Sequence, residues 1–385
     1  MKYFFSAGEH SGDMHAATLI RHIKALDPEA KFWGMGGPLM AQEGVEILYD
    51  PTKISTIGFW EAVKNYSRFK KYLARFSQFF REERPDVLVW VDFGGFNVRL
   101  AEKAKALGIP VVCLFPPAAW AYGKGRALRL ARSVTHIVSV LPFEADFYRD
   151  YGLKVTYIGH PLLDRVKPSI PPSTWRQEKS VRAGETVIAL LPGSRIQEVA
   201  SLLPILLEAA STLDKHQEGL KFFLPVAPTI DRRVILDFLA FFPKNLELID
   251  SEQGYNLMAA ADFGVIASGT STLEAAILGL PMIMVYQVSK LSAFIFRRLA
   301  NKEYKEGQVL IALPNLVAGE MIIPELVQEE LTVERLSAEM LKLLENYNNT
   351  RDTMISELKR VREKLGTPEV MQRAAQLIVA EAQTR

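Results

Sequence analysis

A single cysteine, Cys113, among 385 residues excludes an intramolecular disulfide and any zinc site built on several thiolates. A reducing compartment suits such a chain. Excess charge of one sign is also missing. With 46 Lys and Arg against 44 Asp and Glu, the formal net charge is +2, so no bulk positive field would hold a nucleic acid and no nucleic-acid partner is expected. No uninterrupted apolar run reaches the roughly 18 residues of a membrane-spanning helix. The N-terminal stretch from Met1 to Gly8 is too short in its apolar part for a secretory signal, and Glu9 and Asp13 follow at once. The six histidines are scattered without metal-ligand spacing, and no metal is expected. Neither Gly-x-Gly-x-x-Gly nor Gly-x-x-x-x-Gly-Lys-Ser/Thr stands at the right place, which weighs against nicotinamide binding and ATP hydrolysis.

What the chain does have is apolar content, 49% of its residues, arranged in short runs. Lys2–Ser6, Val87–Val91, Pro110–Phe115 and Thr135–Val140 read as strands, with helices over His15–Leu26 and Arg99–Leu107. Fully apolar runs spaced by helices indicate a parallel sheet covered on both faces. Pro168, Pro171 and Pro172 then mark a stiff connection. The same rhythm restarts with strands at Thr186–Leu191, Phe222–Pro225, Leu246–Ile249, Phe263–Ala267 and Met282–Tyr286. The expected fold class is α/β, with two doubly wound Rossmann-like domains over 1–166 and 167–349 and a helical tail over 350–385 that can pack back on the first domain. Such domains bind ligands at the carboxyl ends of their strands, in the cleft where two of them face each other.

Four loops at such strand ends carry chemistry. Gly8-Glu9-His10-Ser11-Gly12-Asp13 gathers two carboxylates and an imidazole, although a turn with a helix cap has the same composition. In Asp92-Phe93-Gly94-Gly95-Phe96-Asn97 the acid emerges from a strand beside paired glycines, making Asp92 a candidate base or a simple turn residue. Gly193-Ser194-Arg195 opens a helix and suits a phosphate, unless Arg195 only pairs with Glu198. Ser268-Gly269-Thr270-Ser271-Thr272-Leu273-Glu274 offers N–H and O–H donors for a diphosphate, with Glu274 one turn on to accept the hydroxyls of a ribose. Ser271-x-x-Glu274 also fits a capping box, and sequence alone leaves the two roles of Glu274 open. His160, in Gly159-His160-Pro161, reads as a structural histidine first and a ligand contact second.

Taken in order along the chain, these motifs resemble the lipid A disaccharide synthase family. The resemblance runs through Ala7–Asp13, Gly34-Met35-Gly36-Gly37, Pro85-Asp86, Trp120-Ala121, Leu141-Pro142-Phe143-Glu144 and Gly159-His160-Pro161-Leu162. It continues through Leu191–Arg195, Ser268–Thr270, Thr272-Leu273-Glu274, Leu313-Pro314-Asn315 and Pro324–Gln328. It implies a GT-B type glycosyltransferase that joins UDP-2,3-diacylglucosamine to 2,3-diacylglucosamine 1-phosphate, giving a β-1,6-linked disaccharide 1-phosphate and UDP. The UDP-sugar is then a substrate and no cofactor is expected. The second domain would hold the donor through Gly193, Ser194, Arg195, Glu198, Ser268, Gly269, Thr270, Thr272 and Glu274, joined by Asn315 and Gln328. The first would hold the acceptor near Ser11, Asp13 and Asn97. Inversion at the anomeric carbon needs a base, ranked as Asp92 first, then Glu9 or His10.

The chain departs from the family pattern in three places. Gly95 stands where the family has a second carboxylate, Tyr122 replaces the last Trp of Trp-Ala-Trp, and Gln287 follows Tyr286 where a Lys is common. The alternatives are a divergent paralogue acting on another UDP-amino sugar, a 2-epimerase among them, or a nucleotide-sugar-binding protein without catalysis.

A lipid substrate needs a route from the bilayer. Phe59–Arg84 reads as an amphipathic helix, with Ala62, Tyr66, Phe69, Leu73, Phe76 and Phe80 on one stripe and Lys64, Arg68, Lys70, Lys71 and Arg75 beside it. By its residues alone, a core-facing helix with a solvated basic face is the first reading. With the resemblance, Phe69, Lys70, Lys71 and Phe76 are expected to meet the inner face of the cytoplasmic membrane. Phe294, Ile295 and Phe296 beside Arg297, Arg298 and Lys302 form a second such patch. Association as a homo-oligomer is compatible with all of this.

Overall fold

Continuous apolar runs become parallel strands covered on both faces. In the computed structural model, residues 1–52, 59–122, 124–239, 245–287 and 310–384 are described, at 59–68, 121, 122, 124 and 239 by their backbone alone. The chain divides into two units, Met1–Pro161 with Gly366–Arg385, and Leu162–Leu365.

The first unit holds β1 (Lys2–Ala7), β2 (Lys31–Met35), β3 (Glu46–Tyr49), β4 (Val87–Val91), β5 (Val111–Leu114), β6 (His136–Ser139) and β7 (Val155–Tyr157). They form one sheet in the order β3-β2-β1-β4-β5-β6-β7, parallel throughout. Successive residues of β1 and β4 feed opposite faces, as the pleat requires. Tyr3, Phe5, Val87, Val89 and Val91 enter one core, and Phe4, Leu88 and Trp90 the other. β2, β3 and β7 lack the uninterrupted apolar run that marks β1 and β4. Gly34 interrupts β2, and β3 and β7 are short, half-buried strands towards the edges.

The helix after β1 begins at His10, five positions before the expected His15. Its Gly12 packs so closely that a Cβ there would stand 3.3 Å from both the Ala7 Cβ and the Val91 carbonyl oxygen. A glycine at this point lets the helix approach the sheet.

The second unit holds β8 (Thr186–Leu191), β9 (Leu220–Val226), β10 (Leu246–Asp250), β11 (Phe263–Ala267), β12 (Met282–Tyr286) and β13 (Glu325–Val327). Their order is β10-β9-β8-β11-β12-β13, again parallel. The first break in the chain falls at 161/162, not 166/167. The helix Thr350–Lys364 stays with the second unit, and only from Gly366 does the tail join the first.

One described helix, Ile196–His216, is long and apolar enough to cross a membrane. It buries Val199, Leu202, Leu203, Leu206 and Leu207 within the second unit, as a core helix does, and Glu198, Glu208 and Asp214 interrupt it.

The helix Phe59–Glu83 corrects the membrane role expected of Phe76. That ring is fully buried, 5.3 Å from Phe4, with Phe80 4.8 Å from the same ring. The described part of the apolar stripe, from Phe69 to Phe80, faces its own sheet. Lys70, Lys71 and Arg75 are exposed. Of the other residues expected on this face, the side chains of Ala62, Lys64, Tyr66 and Arg68 lie outside the described residues, as does the whole patch from Phe294 to Lys302.

Candidate active site

In each sheet the strand order reverses beside its first strand, and ligands of open α/β sheets bind at that crevice. All four loops singled out by sequence lie there. In the first unit β1 and β4 are neighbours, with Ala7 opposite Val91, so the loops starting at Gly8 and Asp92 emerge side by side. In the second, β8 and β11 are neighbours, with Leu191 opposite Ile266, which does the same for the loops at Pro192 and Ser268.

The first-unit loops are tightly built. Asp92 and Phe93 both adopt left-handed backbone, with φ of 54° and 58°, a conformation that costs a non-glycine residue about 1–3 kcal/mol. Three bonds hold it. The Asp92 carbonyl accepts from the Trp90 indole N–H and from Asn97 Nδ2, and Asp92 Oδ1 accepts from the Phe93 N–H at 2.7 Å. The Phe93 ring covers Gly8, where a Cβ would stand 2.0 Å from it, which joins the two loops. Glu9, His10 and Ser11 are exposed at the start of the first helix. Gly95 is exposed too, and among the described residues a Cβ added there would meet nothing within 4 Å.

Three expected contacts in this unit are corrected by where the side chains point. Asp13 is fully buried; its oxygens accept from the N–H groups of Gly37, Leu39 and Met40 at 2.8–3.1 Å, so it caps the helix Pro38–Gln42 and does not face an acceptor. Asn97, 1% exposed, accepts from Ser6 Oγ and donates to the carbonyls of Ser6 and Asp92. It clamps the Asp92 loop from behind. Phe69 lies 5.8 Å from Phe93 and 5.7 Å from Phe96, half-buried against the same loop of its own unit. Burial, with His15 nearby, lowers the His160 imidazole to about 4, so it is neutral at physiological pH.

In the second unit the two loops border a cavity of about 520 Å³. Gly193, Ser194, Arg195, Glu198, Ser268, Gly269, Thr270 and Glu274 all line it, and Tyr255 and Met258 join them. The helix Thr270–Leu278 starts at Gly269 without a side-chain cap, so first-turn N–H groups and the positive end of the dipole are available to an anion. Arg195 is paired with Glu198 at 2.7 Å, on an exposed surface where such a pair is weak and a phosphate can compete for the guanidinium. Gly193 has φ of 105°, and a Cβ there would lie 2.5 Å from Glu198 Oε2. Only glycine lets that carboxylate fold over the loop.

Of the two open roles of Glu274, capping is excluded by its partner. Its carboxylate accepts from the Tyr255 hydroxyl at 3.0 Å and makes no cap. Burial raises its pKa, opposed by Tyr255 and the charge of Arg165. Thr272 does not reach the cavity: it is fully buried and its hydroxyl turns back to the Gly269 carbonyl at 2.8 Å. Asn315 is likewise fully buried. Its amide donates to the Ile323 carbonyl and Glu325 Oε1 and accepts from the N–H groups of Ile322 and Ile323, which leaves nothing for a ligand. Gln328, with φ of 55°, follows β13, two strands from β11, and does not line the cavity. Among the described residues no group of three or more His, Cys, Asp and Glu is gathered to hold a metal.

Comparison with known proteins accords with this arrangement. The family described as lipid-A-disaccharide synthetase matches residues 3–380. The lipid-A-disaccharide synthase of Geobacter metallireducens is 36% identical over 374 residues, 97% of this chain and 95% of that protein. That of Nitrosococcus oceani is 37% identical over 364 residues, 94% and 91% of the two chains. The chain belongs to the lipid-A-disaccharide synthase family. It is an enzyme of that class, a glycosyltransferase with the GT-B fold. Among solved structures, the glycotransferase of kitacinnamycin has a TM-score of 0.66 at 16% identity, covering 99% of this chain and 98% of its own. The UDP-GlcNAc 2-epimerase from Neisseria meningitidis, bound to UDP-GlcNAc, has a TM-score of 0.57 at 13% identity, covering 100% of both chains. These likenesses concern the fold.

Proposed function

We infer that this synthase joins UDP-2,3-diacylglucosamine to 2,3-diacylglucosamine 1-phosphate and releases UDP, at the inner face of the cytoplasmic membrane. The observation that carries the reading is the cavity at the second switch point. It brings together an uncapped helix N-terminus, an arginine and a half-buried carboxylate, the donor and acceptor set that a nucleoside diphosphate requires. Arg195 and the N–H groups of Thr270 and Ser271 take the diphosphate, and Glu274 the ribose.

The chemistry is one displacement. The 6-hydroxyl oxygen of the acceptor attacks the anomeric carbon, the bond from that carbon to the diphosphate oxygen breaks, and the hydroxyl proton passes to a base. Charge developing on the departing UDP is met by fixed dipoles and the guanidinium. Asp92 is the base, with Glu9 and His10 on the neighbouring loop next in order. Its strained, clamped backbone supports the choice, because such strain persists where the surroundings hold it for a purpose. The exposed Lys70, Lys71 and Arg75 support contact with an anionic membrane surface.

Purified protein incubated with the two lipid substrates is expected to form the disaccharide 1-phosphate and an equal amount of UDP, read by mass spectrometry. Asp92→Asn is expected to lower turnover at least about a hundredfold with the fold intact. UDP release without disaccharide would overturn the transferase reading. Near-normal turnover of the variant would remove Asp92 as base.

A further inference from the structure

Tyr255 has no part in any motif, yet its hydroxyl meets the carboxylate assigned to the ribose. It is the second residue of the helix Gly254–Ala260, which follows β10 and the turn Ser251–Gln253. Tyr255 and Met258, three apart, share a helix face, and both line the cavity. A residue between them in the chain fixes the rotation of that helix from behind. Asn256, 7% exposed, accepts from the Ser169 N–H at 2.7 Å and donates to Ser169 Oγ at 2.9 Å. The helix is thus pinned to the segment after Pro168 and turns Tyr255 toward Glu274.

The pairing has a definite polarity. Burial, reinforced by the charge of Glu274, pushes the Tyr255 phenol up to about 12, so at neutral pH it is a donor. Among the described residues Tyr255 is the one hydrogen-bond partner of the Glu274 side chain, at Oε1. A neutral donor satisfies one carboxylate oxygen without cancelling the charge, whereas a lysine or arginine there would draw the carboxylate into an ion pair. Fixing one oxygen also removes rotational freedom that a ligand would otherwise have to freeze on binding.

We propose that Tyr255 is a positioning residue for ribose recognition: by holding Glu274 Oε1 it presents Oε2 to the vicinal hydroxyls of the nucleotide and makes the donor site selective for ribonucleotides over deoxyribonucleotides. This rests on the reading of Glu274 as the ribose contact. A site built to bond a hydroxyl discriminates against the analogue lacking it, because its own polar group is left unpaired.

The test is calorimetric binding of UDP and of 2′,3′-dideoxy-UDP to wild type, Tyr255→Phe and Glu274→Gln, with unfolding curves as a check. Wild type is expected to prefer UDP. Tyr255→Phe is expected to bind UDP roughly tenfold more weakly, the scale of one hydrogen bond to a charged group, and dideoxy-UDP unchanged. In turnover, KM for the UDP-sugar rises and kcat stays. Should Tyr255→Phe not fold, Tyr255→Met deletes the same hydroxyl, and Tyr255→His, which keeps a donor, is expected to restore the preference. If Glu274→Gln loses the preference and Tyr255→Phe keeps it, the positioning role is overturned while the ribose reading stands. If Glu274→Gln keeps it, the ribose reading itself falls. Equal weakening of both nucleotides in Tyr255→Phe would mean packing alone and would also overturn the proposal.

Discussion

At the scale of single residues, a buried carboxyl sets a pH dependence. Glu144, 4% exposed, is bonded to Ser139 Oγ at 3.0 Å, and burial raises it from 4.5 to about 8. The folded state therefore keeps this proton where the unfolded chain has lost it. Stability is fully present below the unfolded pKa and falls as pH rises toward about 8. The loss is bounded by roughly 1.4 kcal/mol for each pH unit that separates the folded and unfolded pKa values, a few kcal/mol at most. Glu144→Gln keeps the shape and removes the titration. Denaturant unfolding at about pH 5 and about pH 8 should show the variant gaining on wild type at the higher pH; parallel losses at both would refute a buried neutral Glu144. Individual side chains were the least legible part of the sequence. Asp13, Asn97, Thr272 and Asn315 lie in or beside loop motifs, and their composition reads the same whether they face a ligand or the protein. What decides the matter is a partner distant in sequence, such as Gly37 for Asp13 or Ser6 for Asn97. Tyr255 left no signal, since a tyrosine early in a short helix resembles any core aromatic.

Elements were more legible than side chains, and those with continuous apolar runs most of all. β1, β4, β8 and β11 are buried on both faces, so their sequence has no alternation to blur, and the loops at their ends were found with them. β3 and β13, at the sheet edges, and the half-buried β7 are too short for a pattern. The helix Phe59–Glu83 was legible as amphipathic, but amphipathicity does not say what covers the apolar stripe. Its sheet does, through Phe76 and Phe80. If its basic face meets the membrane, the two faces separate by experiment. Reversing Lys70, Lys71 and Arg75 to Glu should weaken sedimentation with phosphatidylglycerol vesicles at least about a hundredfold, at about 1 kcal/mol per basic residue, with little change in stability. Phe76→Ala should instead cost about 3–5 kcal/mol of stability, and its folded fraction should still bind vesicles. Unaltered sedimentation of the triple variant would end the membrane role of this face.

At the scale of the whole molecule, the chain leaves its first unit at Pro161 and returns to it at Gly366, so one face of the first sheet is covered in part by the last residues. The helix Val370–Gln383 places Val370, Met371, Ala374, Ala375 and Ile378 in the same core as Tyr3, Phe5 and Val89. Arg373 donates to the Ile158 carbonyl at 2.8 Å. Glu381 bonds to His136 Nδ1 at 2.8 Å and to Lys154, tying the helix to β6 and the approach to β7. Burial lowers the His136 pKa, opposed by its bond to Glu381. Uncovering that face would expose several apolar side chains at about 1.5–3 kcal/mol for each larger one, a sum comparable with the roughly 5–15 kcal/mol that holds a whole domain folded. Deleting residues 366–385 should therefore unfold the first unit and spare the second, whose core contains none of those residues. Limited proteolysis of the truncated protein should leave a resistant fragment close to Leu162–Leu365. If the proposed donor site is right, that fragment should still bind UDP, because every residue lining the cavity at Leu191 and Ala267 lies within it. Retention of the first unit's protection after truncation, or loss of UDP binding by the fragment, would contradict the division of labour between the two units.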